Sequence, residues 1–342
     1  MYNIALLGVW FMSDSVTGDA SKTANEQVNY CKVPIKYILQ FPHDFHLAEL
    51  FIRLGNEKYV KLTLREAGFV DTLKAYQQKG LGEIYLTELD FKTIFTSIKN
   101  RVTHKQFYDP ETIDENRMSN LELTFKMAKE FIANFGVDQD VMDVLKGVNV
   151  QSLRVLKQSP NIFAFFKDFR KNCSDEFLKN VMINHLVMLI IDKFSWKSTA
   201  IKEKATLASL LCDVTMTKED FEVMKKCDKD GEPYPERIKH HPIRVAEVLR
   251  EKKEMVSMET LTIIEQHHEK PDGTGFPYGH NHHRINQLSA IYITATMFME
   301  MLIKSEFNYQ LKNDLLDDLY TEMSGGAFDK AFEALRKVVT ED

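Results

Sequence analysis

Along the second half of the chain, apolar side chains recur every three or four positions with few breakers, the spacing of helices that each bury one face. Segments 140–157, 160–170, 175–194, 199–213, 217–227, 241–252, 257–268, 286–305, 310–323 and 327–340 all read this way. Their connections are short, except for the Asp228–Lys239 loop with Gly231, Pro233 and Pro235. Upstream, Glu111–Phe135 places Leu121, Phe125, Ala128 and Ile132 at helical spacing; Gly136 then stops it and Asp138 caps the next helix. The first hundred residues have a different rhythm. Leu50–Leu54 and Tyr59–Leu64 flank the turn pair Gly55-Asn56 and predict two strands, and Glu83–Leu86 predicts a third. Gly68–Gln78 and Asp90–Asn100 predict helices. The expected architecture is mainly α: a small α/β (α+β) domain at 30–105, a linker helix within 106–137, and an all-helical domain at 138–342, with 1–29 as a leader.

Composition is that of a folded protein: 44% hydrophobic and 27% charged residues in 342, enough for a sizeable core. A formal charge of -6 argues against DNA or RNA as the main partner. Cys31, Cys173, Cys212 and Cys227 are widely spread with no CxxC pair, which favours a reducing, cytoplasmic setting. There is no uninterrupted run of 18 apolar residues, so no membrane span is expected. Met1–Met12 is apolar but lacks a basic leader and a cleavage region, so no secretion signal is expected either.

Candidate chemistry centres on Glu265–Pro277, EQHHEKPDGTGFP. His267 and His268 stand at the end of a predicted helix, and Asp272-Gly273-Thr274-Gly275-Phe276 then breaks it. Adjacent helical side chains diverge by about 100°. Two such imidazoles therefore serve one ion only if the helix end points at it or the last turn is distorted. His240-His241-Pro242 opens another helix, with Pro suited to a first turn. Asp213 ends the apolar run Leu210-Leu211-Cys212, where a carboxylate is costly without a partner. Asp213, His241, His267 and His268 together form a ligand set suited to zinc, iron or manganese, although spacing alone does not establish that they converge. His185 lies in an otherwise apolar helix, where a satisfied core histidine is the ordinary outcome. His43, Asp44 and His46 read as turn or surface residues, and Met297, Phe298, Met299, Met301 and Leu302 as core. Glu269 is read as a carboxylate that either orients a ligand histidine or faces water. The His280–Arg284 segment either rims the pocket or forms an exposed loop.

The segment HHEKPDGTGFP resembles the HHExxDGxGYP signature of the HD-GYP branch of the HD phosphohydrolases, and His241-Pro242 with the helix after it resembles that family's His-Pro helix. The resemblance covers about residues 140–305 and implies an HD-type all-helical domain, a two-metal site and hydrolysis of cyclic di-GMP by metal-activated water. Carried over residue by residue, it makes Asp213 the bridging, catalytic carboxylate and His241, His267 and His268 ligands of one ion. The other ion would fall to His185, Cys212 and Asp213, with Thr296 where the family has its last carboxylate. Cys212 replaces the signature histidine, Met216 falls near the family's phosphate-holding lysine, and Phe276 replaces the tyrosine. Thr217–Cys227 offers a rival register for the helix before the His-Pro. Asp272, Gly273, Gly275, Phe276 and Lys304 are the expected ligand-binding positions. The resulting expectation is a signalling protein with a degenerate site holding one divalent transition ion (Fe, Mn or Zn) rather than two. It binds a cyclic dinucleotide or another phosphorylated small molecule, or a partner protein, with weak or no hydrolysis; a homodimer is compatible with this. The alternative is an active metal-dependent cyclic di-GMP phosphodiesterase.

Overall fold

The computed structural model describes residues 29–340 except 46–47, 56–57, 63–67, 104–115, 160 and 253. The leader, His46 and the first residues of the expected linker helix lie outside the described residues. Strands β1 (Tyr30–Pro34), β2 (Leu50–Arg53), β3 (Tyr59–Lys61) and β4 (Glu83–Thr87) form an antiparallel sheet of order β1-β4-β2-β3. Its register pairs Cys31 with Leu86, and Phe51 with both Tyr85 and Lys61. Alternation with period two sends Cys31, Val33, Ile84 and Leu86 into the core and leaves Tyr30, Lys32 and Tyr85 on the other face. Helices α1 (Ile35–Gln40), α2 (Pro42–Phe45), α3 (Phe69–Gln78) and α4 (Glu88–Thr103) complete this part. β1, α1 and α2 were not anticipated, because each is short and bounded by proline rather than by a sustained pattern.

Helix α5 (Arg117–Phe135) buries twelve of its nineteen residues and packs against α1, β1 and α6 (Gln139–Gln158). It is a shared wall rather than an exposed strut. The rings of Phe91 and Phe95 on α4 meet Phe131 and Phe135 on α5, with Phe95 and Phe131 centroids 4.4 Å apart. Asp44, expected to be a turn or surface residue, is instead largely buried and paired with Arg101 of α4.

Beyond α5 the chain is helical: α7 (Ile162–Phe169), α8 (Asp175–Asp192), α9 (Thr199–Leu211), α10 (Lys218–Asp230), α11 (Glu236–Lys239), α12 (His241–Arg250), α13 (Met258–Gln266), α14 (Gln287–Lys304), α15 (Lys312–Glu322) and α16 (Ala327–Thr340). The start points follow local chemistry. Asp138, Asn161, Ser174, Ser198, Ser257 and Asn286 each accept a hydrogen bond from a first-turn amide, and Thr217 with Asp220 forms a capping box. α8 is apolar nearly all round and lies centrally, against α6, α7, α9, α14 and α16. α13 packs on α9, α12 and α14. Because α9 stops at Leu211, α12 starts at His241 and α13 stops at Gln266, three helix ends meet on one side of the bundle. No helix among the described residues is long and apolar enough to cross a membrane.

Replacing Phe131 by Ala should cost about 3–5 kcal/mol in chemical denaturation, the range for a buried aromatic. A loss below about 1 kcal/mol would mean that the aromatic cluster does not fasten the sheet to the bundle.

Candidate metal centre

Among the described residues, one atom each of Asp213, His241, His267 and His268 lie within 4.8 Å of one another. Asp213 follows the end of α9, His241 opens α12, and His267 is the C-cap of α13 with His268 in the turn beyond it. The divergence of adjacent helical side chains is thus resolved by ending the helix before the pair. His241 Nε2 stands 3.2 Å from Asp213 Oδ1 and 3.2 Å from His267 Nε2, and His267 Nε2 is 3.6 Å from the same carboxylate oxygen. In a tetrahedral site with ligands at about 2.0–2.1 Å, neighbouring ligand atoms are roughly 3.4 Å apart. The observed spacings match that edge.

The hydrogen bonds behind the rings fix their protonation. His241 Nδ1 lies 2.6 Å from the Ile238 carbonyl and His267 Nδ1 lies 2.6 Å from the Ile264 carbonyl. A carbonyl only accepts, so each Nδ1 carries the proton and donates it. Both Nε2 atoms then face each other and Asp213, donating to the carboxylate when protonated and presenting lone pairs when not. His268 Nε2 is also buried and has no hydrogen-bond partner. Such a concentration of acceptors calls for a cation. Burial alone would raise the Asp213 pKa, but the two imidazoles outweigh it and hold the carboxyl well below its usual range. Burial, reinforced by His267 and His241, pushes the His268 pKa well down, so that ring is neutral and ready to ligate. The residues fit one divalent ion of borderline character.

The glycine turn supports this arrangement. Phe276 stacks on the His268 ring, with centroids 4.4 Å apart, and its amide donates to the His268 carbonyl. A Cβ on Gly275 would meet the Lys270 nitrogen at 2.4 Å and the Glu269 Cα and His268 oxygen at 2.5 Å, so only glycine lets the loop close on itself. Gly273 has φ +80°, and the Asp272 carboxylate accepts from the Thr274 amide and hydroxyl; these two residues build the turn. Glu269 neither orients a histidine nor faces water. It is 1% exposed and accepts from the Tyr278 and His280 amides, tying down the loop beyond the turn. Gln266 was not singled out from sequence; its amide donates to the Arg284 carbonyl and accepts from the Asn286 amide, fastening the start of α14 to the end of α13. Of the His280–Arg284 segment, His282 packs against Gly325 and Gly326 and its Nδ1 lies 3.2 Å from the Pro271 carbonyl.

Two expected ligands are not in the cluster. His185 sits three turns into α8, and its Nδ1 has no hydrogen-bond partner. It is not among the residues whose ligand atoms lie within 4.8 Å of one another. Burial, with Lys157 adding, lowers the His185 pKa to about 4. Cys212 adjoins Asp213 in sequence, but its Sγ is buried between the Ser209 carbonyl (3.4 Å), the Tyr292 hydroxyl (3.5 Å) and Asp213 Oδ2 (3.6 Å). Burial and the neighbouring carboxylate push its pKa well up. The Thr296 hydroxyl donates to the Tyr292 carbonyl, Met216 is buried, and Lys304 is the exposed last residue of α14.

A scan against protein-family models and a search of curated proteins find no match for this chain. Among solved structures it is similar to Bd1817, an HDG"Y"P protein from Bdellovibrio bacteriovorus, with 16% identity, a TM-score of 0.51, and coverage of 91% of this chain and 99% of that one. The fold is that of an HD-GYP protein. An identity this low carries the architecture, and the roles of individual side chains in this HD-GYP fold rest on the geometry above.

Three outcomes are expected. Elemental analysis should find the ion lost in His241→Gln and His268→Gln but retained in His185→Gln and Cys212→Ala. Gly275→Ala should both destabilise the chain and empty the centre. Because His185 is neutral in the fold and protonates on unfolding, stability should fall as pH drops from 6.5 toward about 4. In His185→Gln that slope should flatten, as read from denaturation midpoints across the window.

Proposed function

We propose that this chain holds one divalent transition ion on Asp213, His241, His267 and His268 and binds beside it a phosphorylated small ligand of the cyclic dinucleotide class, as a signalling protein with weak or no hydrolysis. The observation that carries the reading is the asymmetry around Asp213. On one side stands a complete set of four donors. On the other, the groups near a second position already have partners within the protein: Cys212 Sγ is set against the Tyr292 hydroxyl, and Thr296 is bonded to its own helix. When bound, an ion of this kind polarises a phosphoryl oxygen and lowers the pKa of water. Asp213 supplies the site's negative charge, and its side chain, 38% exposed, marks the side open to ligand. His241 and His267, with their Nδ1 protons committed to carbonyls, direct Nε2 toward the ion. Phe276 covers the face of His268 and excludes water there. Loss of one electrostatic partner in such chemistry costs about 3–4 kcal/mol, several hundredfold in rate. α5, packed on both the sheet and the bundle, is the proposed relay to a partner protein or across a homodimer.

The alternative, an active cyclic di-GMP phosphodiesterase, is favoured by the completeness of the four-ligand set and the accessibility of Asp213. Metal analysis and turnover separate the two. The protein purified without chelator should carry about one ion per chain. Loaded with Mn or Fe, it should bind cyclic di-GMP while hydrolysing it far more slowly than about 1 s⁻¹, the low end of ordinary turnover. Two ions with turnover at ordinary rates would establish the phosphodiesterase instead.

A further inference from the structure

Beside the four ligands stands a charged pair that the ligand set does not use. Lys179, in the second turn of α8, reaches Glu300 of α14 at 2.5 Å. Glu300 is one turn beyond Thr296 and two beyond Tyr292, whose hydroxyl meets Cys212 next to Asp213, so the three share a side of α14. Asn180, next to Lys179, donates to the Ser209 carbonyl, which also accepts from Cys212 Sγ beside Asp213, so this turn of α8 lies against the end of α9 that leads into the cluster. Glu300 is close enough to bear on Tyr234, whose ring lies 5.4 Å from Phe276, itself stacked on His268. The two side chains are 32% and 36% exposed, so the pair is open to solvent and to a ligand.

Folding does not account for a lysine in this place. A part-exposed ion pair adds little to stability, and an ammonium beside a cation site weakens binding of the cation. What offsets both is an anion that touches ion and ammonium together. We propose that Lys179 is the residue that receives the anionic oxygens of the ligand bound at the ion, with Glu300 holding the ammonium in place until the ligand replaces it. The exchange substitutes one charge-assisted hydrogen bond for another and releases the Glu300 carboxylate, 36% exposed, to solvent. Lys304, a full turn beyond Glu300 at the end of the helix, is displaced from this role. The inference rests on the reading of Asp213, His241, His267 and His268 as the ion site and adds the chemistry of what binds there.

The test is calorimetric titration of inorganic phosphate into full-length protein loaded with Zn²⁺, with the ion content and the Zn²⁺ affinity of each variant measured separately. Lys179→Met should weaken phosphate binding by on the order of tenfold to a hundredfold while keeping its ion. The same variant should bind Zn²⁺ a few-fold more tightly, since a like charge has gone. Lys179→Arg should retain phosphate binding, and Glu300→Gln should tighten it by freeing the ammonium. Phosphate that binds Lys179→Met as it binds the parent, or that is lost on Lys304→Met instead, overturns the assignment while the metal site stands. A parent protein that carries its ion but takes up no phosphate also overturns it. A parent protein that takes up no ion overturns the site reading and the Lys179 assignment together.

Discussion

Everything at the candidate centre depends on two hydrogen bonds made away from it. The Ile238 and Ile264 carbonyls each accept the Nδ1 proton of the histidine three residues on, and so turn two Nε2 atoms toward one carboxylate oxygen. Neither carbonyl is exotic. Both belong to the last turn of a short helix, where carbonyls lack an intrahelical partner. A chain that ends α11 just before His241 and α13 just before His267 obtains an oriented pair of imidazoles from groups that must be satisfied in any case.

The segment after α13 then has to reverse direction without burying unpaired backbone. Its devices are local and cumulative: Asp272 closes the turn, Gly275 admits backbone where any side chain would collide, Glu269 collects two amides, and Gln266 pins the start of α14. Because α14 carries Tyr292, Thr296 and Glu300 down the side facing the cluster, the placement of that helix sets what the ion's other flank is made of. It is a phenol, a satisfied hydroxyl and a carboxylate already paired with Lys179.

Much of this was legible in the amino-acid sequence, and the reason is periodicity. Ten helical segments after residue 138 appear within a few residues of their expected limits, because of their sustained apolar positions and, in seven of them, a capping side chain before the first turn. The HHEKPDGTGFP segment announced its turn and its histidines, and all four members of the cluster were named in advance. His185 and Cys212, expected as ligands from the family resemblance, lie outside the four-residue group, and position along the chain does not say which side of a helix faces a site. Glu269 looked like a partner for a histidine because it follows one, yet its carboxylate turns away to the amides of residues nine and eleven further on.

What the sequence alone determined, then, was local: where helices start and stop, where only glycine fits, and which donors exist. Tertiary structure decided convergence. Asp213, His241 and His267 are separated by tens of residues and meet only because α9, α12 and α13 pack with their ends together. Lys179 and Glu300 are 121 residues apart and no pattern links them; they become neighbours because α8 and α14 lie side by side. Period and capping are encoded within a few residues. Which two distant charges pair is a property of the packed bundle.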